Sequence, residues 1–207
     1  MTQRRAIGAV WTHTWQRGGA GLRRALPTSL ATTLLTALAI VGSSAAGLGV
    51  GAARAEVYLR PEVFLQQAFD SAVPAPSLLW LTAELQQRVR GVLGHPYKQL
   101  RLRYWRQGQR SAWLLDEIGK EEEITIGFVI ADGQIERTQV LEFRESRGWE
   151  IRSPGFTRQL QGARLKSDGE LDRRIDGITG ATLSVDACRR LARLALLLHA
   201  EVTGAAR

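Results

Sequence analysis

The stretch "EITIGFVIADGQIERTQVLEF", Glu123–Phe143, decides the fold. Ile124, Ile126, Phe128 and Ile130 recur at every second position, the period at which strand side chains share one face of a sheet. Asp132-Gly133 follows them. This pair tolerates positive φ and so closes a two-residue hairpin. Ile135 to Phe143 returns with imperfect alternation, which predicts a bulge in the returning strand. An antiparallel pair is therefore the centre from which the rest of the chain is placed.

Upstream, Leu100, Leu102 and Tyr104 alternate with Arg101, Arg103 and Trp105, which predicts a strand with one wet face. A turn at Gly108 leads into "SAWLLDEI", Ser111–Ile118. These segments predict an antiparallel sheet of about four strands. Helices are expected on either side of it in the chain. One covers Pro61 to Phe69. A second is expected to start at Ser77 as N-cap, with Leu78, Leu81, Leu85, Val89 and Val92 at helical spacing, and to stop at Gly94 and Pro96. A short helix is expected near Phe156–Leu160. In the last helix Cys188, Leu191, Ala195, Leu198 and Val202 share one face, and Arg189, Arg190 and Arg193 another. Trp80 and Trp113 are assigned to the core. The fold class is α+β, with residues 56–95 as a helical lead-in and 96–207 as the core of one domain.

The formal net charge is +8, but six arginines and no acid lie in residues 1–55, which leaves +2 on residues 56–207. A nearly balanced folded part argues against a nucleic-acid groove. Ala25 to Ala53 carries no charged side chain. Five arginines precede it, "LLTALAIV" (Leu34–Val41) is its most apolar part, and Ala53 and Ala55 stand where a cut after small residues is expected. Residues 1–55 therefore read as a signal peptide, cut before Glu56, or as a retained membrane anchor. Both readings put residues 56–207 outside the cytoplasmic membrane, in an extracytoplasmic, periplasmic setting.

The single cysteine, Cys188, allows no intrachain disulfide. His13, His95 and His199 stand in no metal-ligand spacing, so no metal site is expected. No Ser/His/Asp set or carboxylate pair supports hydrolysis, and no catalytic residue is assigned.

Two glycines, two threonines and a serine crowd into "DGITGATLS", Asp176–Ser184, just before the last helix. Ser184 is expected to cap that helix, with Asp186 in its first turn. Gly180, Ala181 and Thr182 then stand at a helix start, where free backbone N–H groups and the helix dipole favour a phosphate. Gly177 and Gly180 permit positive φ and close approach. Thr182 adds a hydroxyl at the same place. From residue types alone, ordinary loop and capping chemistry explains most such clusters. No lysine follows the glycines, so the stretch is not a P-loop.

The same stretch resembles the flavinylation motif of the FMN-binding domain family, which includes the exported flavin-bearing subunits of Rnf and sodium-pumping quinone reductase complexes. Asp176, Thr179, Gly180, Ala181, Thr182 and Ser184 fill every motif position. The hairpin around Asp132-Gly133 is similar to the paired strands of the family. Gly148–Phe156 is similar to its flavin loop, with Arg152-Ser153-Pro154-Gly155 where the larger subunits carry Glu-Thr-Pro-Gly.

The resemblance implies FMN held covalently through a phosphoester to Thr182, attached by a flavin transferase that uses FAD. It implies that Asp176 and Ser184 are read by that transferase or shape the loop. Trp149, in the expected flavin loop, is a candidate to stack on the ring. The implied function is an electron carrier between a membrane-bound redox partner and an acceptor, with the flavin supplying the redox chemistry. The alternative is a non-redox FMN-binding module that senses or assembles within a membrane complex.

Overall fold

The computed structural model describes residues 56–204. The expected signal or anchor, residues 1–55, lies outside the described residues. The elements run β1 (Glu56–Val57), α1 (Pro61–Ala68), β2 (Ser77–Trp80), α2 (Ala83–Leu93), β3 (Arg101–Gln107), β4 (Arg110–Ile118), β5 (Glu123–Ala131), β6 (Gln134–Phe143), α3 (Pro154–Thr157) and α4 (Thr182–Thr203). Single 3-10 turns flank α3 at Trp149–Arg152 and Arg158–Leu160. The α+β class holds.

The sheet has six strands in the order β1-β6-β5-β4-β3-β2, every pair antiparallel. The expected four form its centre. Asp132 (φ 51) and Gly133 (φ 72) make the tight β5–β6 turn, as their chemistry demands. The broken alternation of β6 has a direct cause. Thr125 pairs with Glu142 but Ile126 with Val140, and Val129 pairs with Arg137 but Ile130 with Ile135. Leu141 and Glu136 are thus extra residues on β6. The first bulge lets Val140 and Phe143 face one core while Leu141, between them, faces the other.

The two strands that sequence reasoning missed are the short edges. Ser77 does not cap a helix. Ser77–Trp80 pairs with β3, Leu78 opposite Arg103 and Trp80 opposite Arg101. Helix α2 begins six residues later, capped by Thr82, whose hydroxyl accepts from the Leu85 N–H at 3.3 Å. Leu81, Leu85, Val89 and Val92 keep the helical face expected of them and are buried. Leu78 fits the same spacing by coincidence. Trp80, expected in the core, is 61% exposed on the edge, with Arg101 stacked over its ring. Trp113 is fully buried. The lead-in therefore contributes two helices and both edge strands.

Each face of the sheet carries its own core. On one face α4 lies across β4 and β5, with α2 beside it. Leu191, Leu194 and Leu198 of α4 are fully buried there, each stabilising the fold by roughly 1.5–3 kcal/mol relative to an exposed side chain. On the other face α1 inserts Phe64 against Trp105, Ala112, Val129 and Leu141. That contact narrows the wet face expected of β3. Arg101 and Arg103 are exposed as expected, but Trp105, at the next position of the same face, is buried under α1.

Candidate functional site

The segment before α4 positions Thr182. The Ala181 N–H donates to the Ile178 carbonyl at 3.0 Å, closing a turn in which Gly180 takes φ +84. A side chain other than glycine is strained at that φ. Gly177, credited with the same role, has no positive φ.

Helix α4 then starts at Thr182, three residues earlier than a Ser184 cap implies. Its N-cap is Ala181, which offers no side-chain acceptor. Ser184 is therefore not the cap but a buried residue of the first turn, and Asp186 lies beyond that turn, paired with Arg189 at 2.8 Å. Val185 is the first residue whose N–H reaches a helical partner, Ala181, at 2.9 Å. The N–H groups of Thr182, Leu183 and Ser184 have no protein acceptor among the described residues. Three unpaired donors at the positive end of a 22-residue helix fit an anion.

Facing this helix start is the turn from β4 to β5. Its backbone is gathered by one carboxylate. Glu145 Oε1 accepts from the N–H groups of Lys120, of Glu121 at 2.7 Å and of Glu122 at 3.0 Å. Burial raises the Glu145 pKa, but the three N–H donors and Lys120 outweigh it and hold the carboxyl below its usual range. Gly119 makes this packing feasible: a Cβ there would lie 2.8 Å from Ile124 Cδ1 and 2.9 Å from Glu145 Oε1. Three residues after Glu145, Gly148 (φ +90) presses directly on Ser184.

Between these walls lies a cleft of about 560 Å³, lined by Lys120, Glu121, Glu145 and Arg147 on one side and by Gly180, Thr182 and Leu183 on the other. A volume of this size suits a cofactor. Thr182 is exposed to it. Of the residues singled out in the sequence, Gly180, Ala181, Thr182 and Ser184 line the cleft, whereas Asp176, Thr179 and Trp149 do not. Asp176 is exposed, its N–H bonded to Gln159 Oε1 at 2.8 Å and its carboxylate 3.7 Å from Arg174 Nε. Trp149 is half exposed, and Arg152 lies between its ring (5.0 Å) and that of Tyr58 (4.3 Å).

Sequence reasoning missed Lys120, Glu145 and Arg147. The run Glu121–Glu123 reads as a solvated turn tip, and nothing local in it signals that a glutamate more than twenty residues on gathers the turn. Cys188 is buried, and its thiol is pushed up to about 12 by desolvation, so it takes no part in chemistry here.

A second cleft, of about 580 Å³, is lined by five arginines. Each already has a carboxylate: Arg173 with Asp172, Arg174 with Asp176, Arg189 with Asp186, Arg190 with Glu117, Arg193 with Glu170. It therefore offers no surplus charge to an anion.

Residues 119–197 match the family model described as FMN-binding domain. The matched span opens at Gly119 and includes both walls of the Thr182 cleft. No curated protein and no solved structure matches the chain.

Proposed function

From the match of residues 119–197 to the FMN-binding domain model, we propose that the chain carries FMN covalently, through a phosphoester to Thr182, and works as an extracytoplasmic electron-transfer flavoprotein. The observation that carries this reading is the position of Thr182. Its hydroxyl stands exposed on a cofactor-sized cleft, on the first residue of a helix whose N–H groups of Thr182, Leu183 and Ser184 lack acceptors.

The residues present fit a phosphate-bearing group. The backbone donors of α4 on one side of the cleft and the Arg147 guanidinium, which has no carboxylate partner among the described residues, on the other supply positive potential. Gly180, open on the side where a Cβ would project, admits a bulky neighbour. Attachment by a transferase with FAD as donor is a substitution at phosphorus. The bond from Thr182 Oγ to the flavin phosphate forms, the bond from that phosphate to AMP breaks, and the hydroxyl proton is released. No electron moves in this step. Asp176 and Thr179, exposed ahead of the helix, are free for the transferase to read.

When bound, the flavin supplies one- and two-electron chemistry. The protein's part is to fix the phosphate end at α4 and to hold the ring beside the cleft, with Leu183 and Trp149, each half exposed, as nearby apolar surface. A covalent tether suits an exported carrier, because a flavin held only by contacts in an open cleft is lost to dilution. The electron donor or acceptor in the membrane is a redox partner of the same relay.

Intact-mass measurement of the chain made with a working flavin transferase tests the reading. Added mass equal to one FMN residue, with flavin fluorescence retained after denaturing electrophoresis, is expected. Bare polypeptide mass under those conditions refutes it.

A further inference from the structure

We propose that Arg147 is a phosphate-recognition residue in the wall opposite Thr182, and that Glu145 is the positioning residue that builds that wall. The inference rests on the flavin reading and assigns new residues to that same cleft. Three observations carry it.

First, the two cations face the helix start across the cleft. Arg147 is exposed and has no ion-pair or hydrogen-bond partner among the described residues, whereas Lys120 is paired with Glu121, which also lines the cleft, at 2.7 Å. Arg147, a cation without a carboxylate, is available to an anion. The arginines of the second cleft are not.

Second, the placement of both cations traces to Glu145. Its carboxylate gathers three consecutive N–H groups of the β4–β5 turn and so fixes the backbone that bears Lys120. Arg147 lies two residues beyond it, and Gly148, the next residue, is pressed against Ser184 in the first turn of α4. The segment 145–148 is thus a brace that ties the turn to the helix start and sets the distance between the cleft's walls.

Third, the negative charge of Glu145 is partly offset by the three N–H donors that surround the oxygen the turn uses. With Lys120 paired to Glu121, what remains facing the cleft is the unpaired Arg147 and a helix N-terminus, a pairing suited to the ribityl phosphate of FMN rather than to its uncharged ring.

The test compares FMN with riboflavin, which differs by the phosphate alone, as ligands of the full chain purified without a transferase. Affinities are read from flavin fluorescence at low salt. The wild-type chain should prefer FMN. Arg147→Ala should erode that preference by about tenfold, as expected for loss of one charge-assisted contact, and Arg147→Lys should keep most of it. Glu145→Gln should erode it as well, although residue 145 does not touch the phosphate, while riboflavin binding stays unchanged. Raising salt should mimic Arg147→Ala in the wild type.

An unchanged FMN preference in Arg147→Ala overturns the proposal. So does an equal loss for both ligands, which would make the residue merely structural, and so does tighter FMN binding in Glu145→Gln. If the wild type binds neither ligand and gains no mass with the transferase, it is the flavin reading itself that fails.

Discussion

Gly148 and Ser184 meet without room for one more atom: a Cβ built on Gly148 would lie 2.4 Å from the Ser184 hydroxyl oxygen and 3.2 Å from its Cβ. This contact joins the loop after β6 to the first turn of α4. Gly148 also holds φ +90, which an L-residue adopts only with strain. Gly148→Ala should therefore cost about 2 kcal/mol, combining overpacking with backbone strain, measured as a fall in the urea midpoint. It should also slow flavin attachment, because the displaced loop carries Arg147. A variant of wild-type stability would show that the loop yields freely.

Thr182→Ala separates chemistry from folding. Thr182 is exposed and its hydroxyl makes no hydrogen bond within the described residues. Loss of that hydroxyl should shift stability by less than about 0.5 kcal/mol, yet it should abolish the flavin mass increment. Thr182→Ser, which restores a hydroxyl at the helix start, should accept flavin again. Flavin attached to the Thr182→Ala chain would remove the assignment.

The centre of this fold was legible because its signals are local. Alternation in β5, the Asp132-Gly133 turn and the stop at Gly94 each depend on a few adjacent residues. The edge strand β2 was not, because Leu78, Leu81 and Leu85 satisfy helical spacing, and only pairing with β3 makes Ser77–Trp80 a strand. The motif around Thr182 was readable, but the start of α4 was misplaced by three residues, since a serine and an aspartate in sequence resemble a cap, whereas Ala181 holds the cap position. The opposite wall was hidden for a different reason. Glu145 reaches Lys120–Glu122 only after β5 and β6 have folded back, so a contact between distant residues defines it.

Gly127 tests how α1 is seated. A Cβ at this position of β5 would lie 2.7 Å from Phe64 Cζ and under 3 Å from two more ring atoms. The bare backbone therefore acts as the floor on which the Phe64 ring rests. Gly127→Ala should force the ring, and α1 with it, off the sheet and destabilise the fold by about 2–3 kcal/mol. Trimming the ring in the double variant Gly127→Ala/Phe64→Leu should recover part of that loss. Equal stability of Gly127→Ala and wild type in thermal melts would mean that α1 is loosely held.

His199 gives the fold a defined response to acid. Trp113 Nε1 donates to Ser111 Oγ at 2.8 Å, and Ser111 Oγ lies 2.8 Å from His199 Nδ1. We assign the Ser111 hydroxyl as donor and Nδ1 as its unprotonated acceptor, in the neutral ring that burial favours. Desolvation first, and the nearby Arg106 charge second, lower the His199 pKa from its ordinary 6.5, with Asp132 opposing weakly. The unfolded chain therefore binds the proton first as pH falls, so the stabilisation is complete above the unfolded value and is lost as the pH drops below it toward the folded value. Urea midpoints should decline as the pH falls below about 6.5, the ordinary histidine value. His199→Gln keeps a polar partner for Ser111 but has no proton to gain, so its midpoint should stay level over that range. An unchanged slope in that variant would move the acid response to another group.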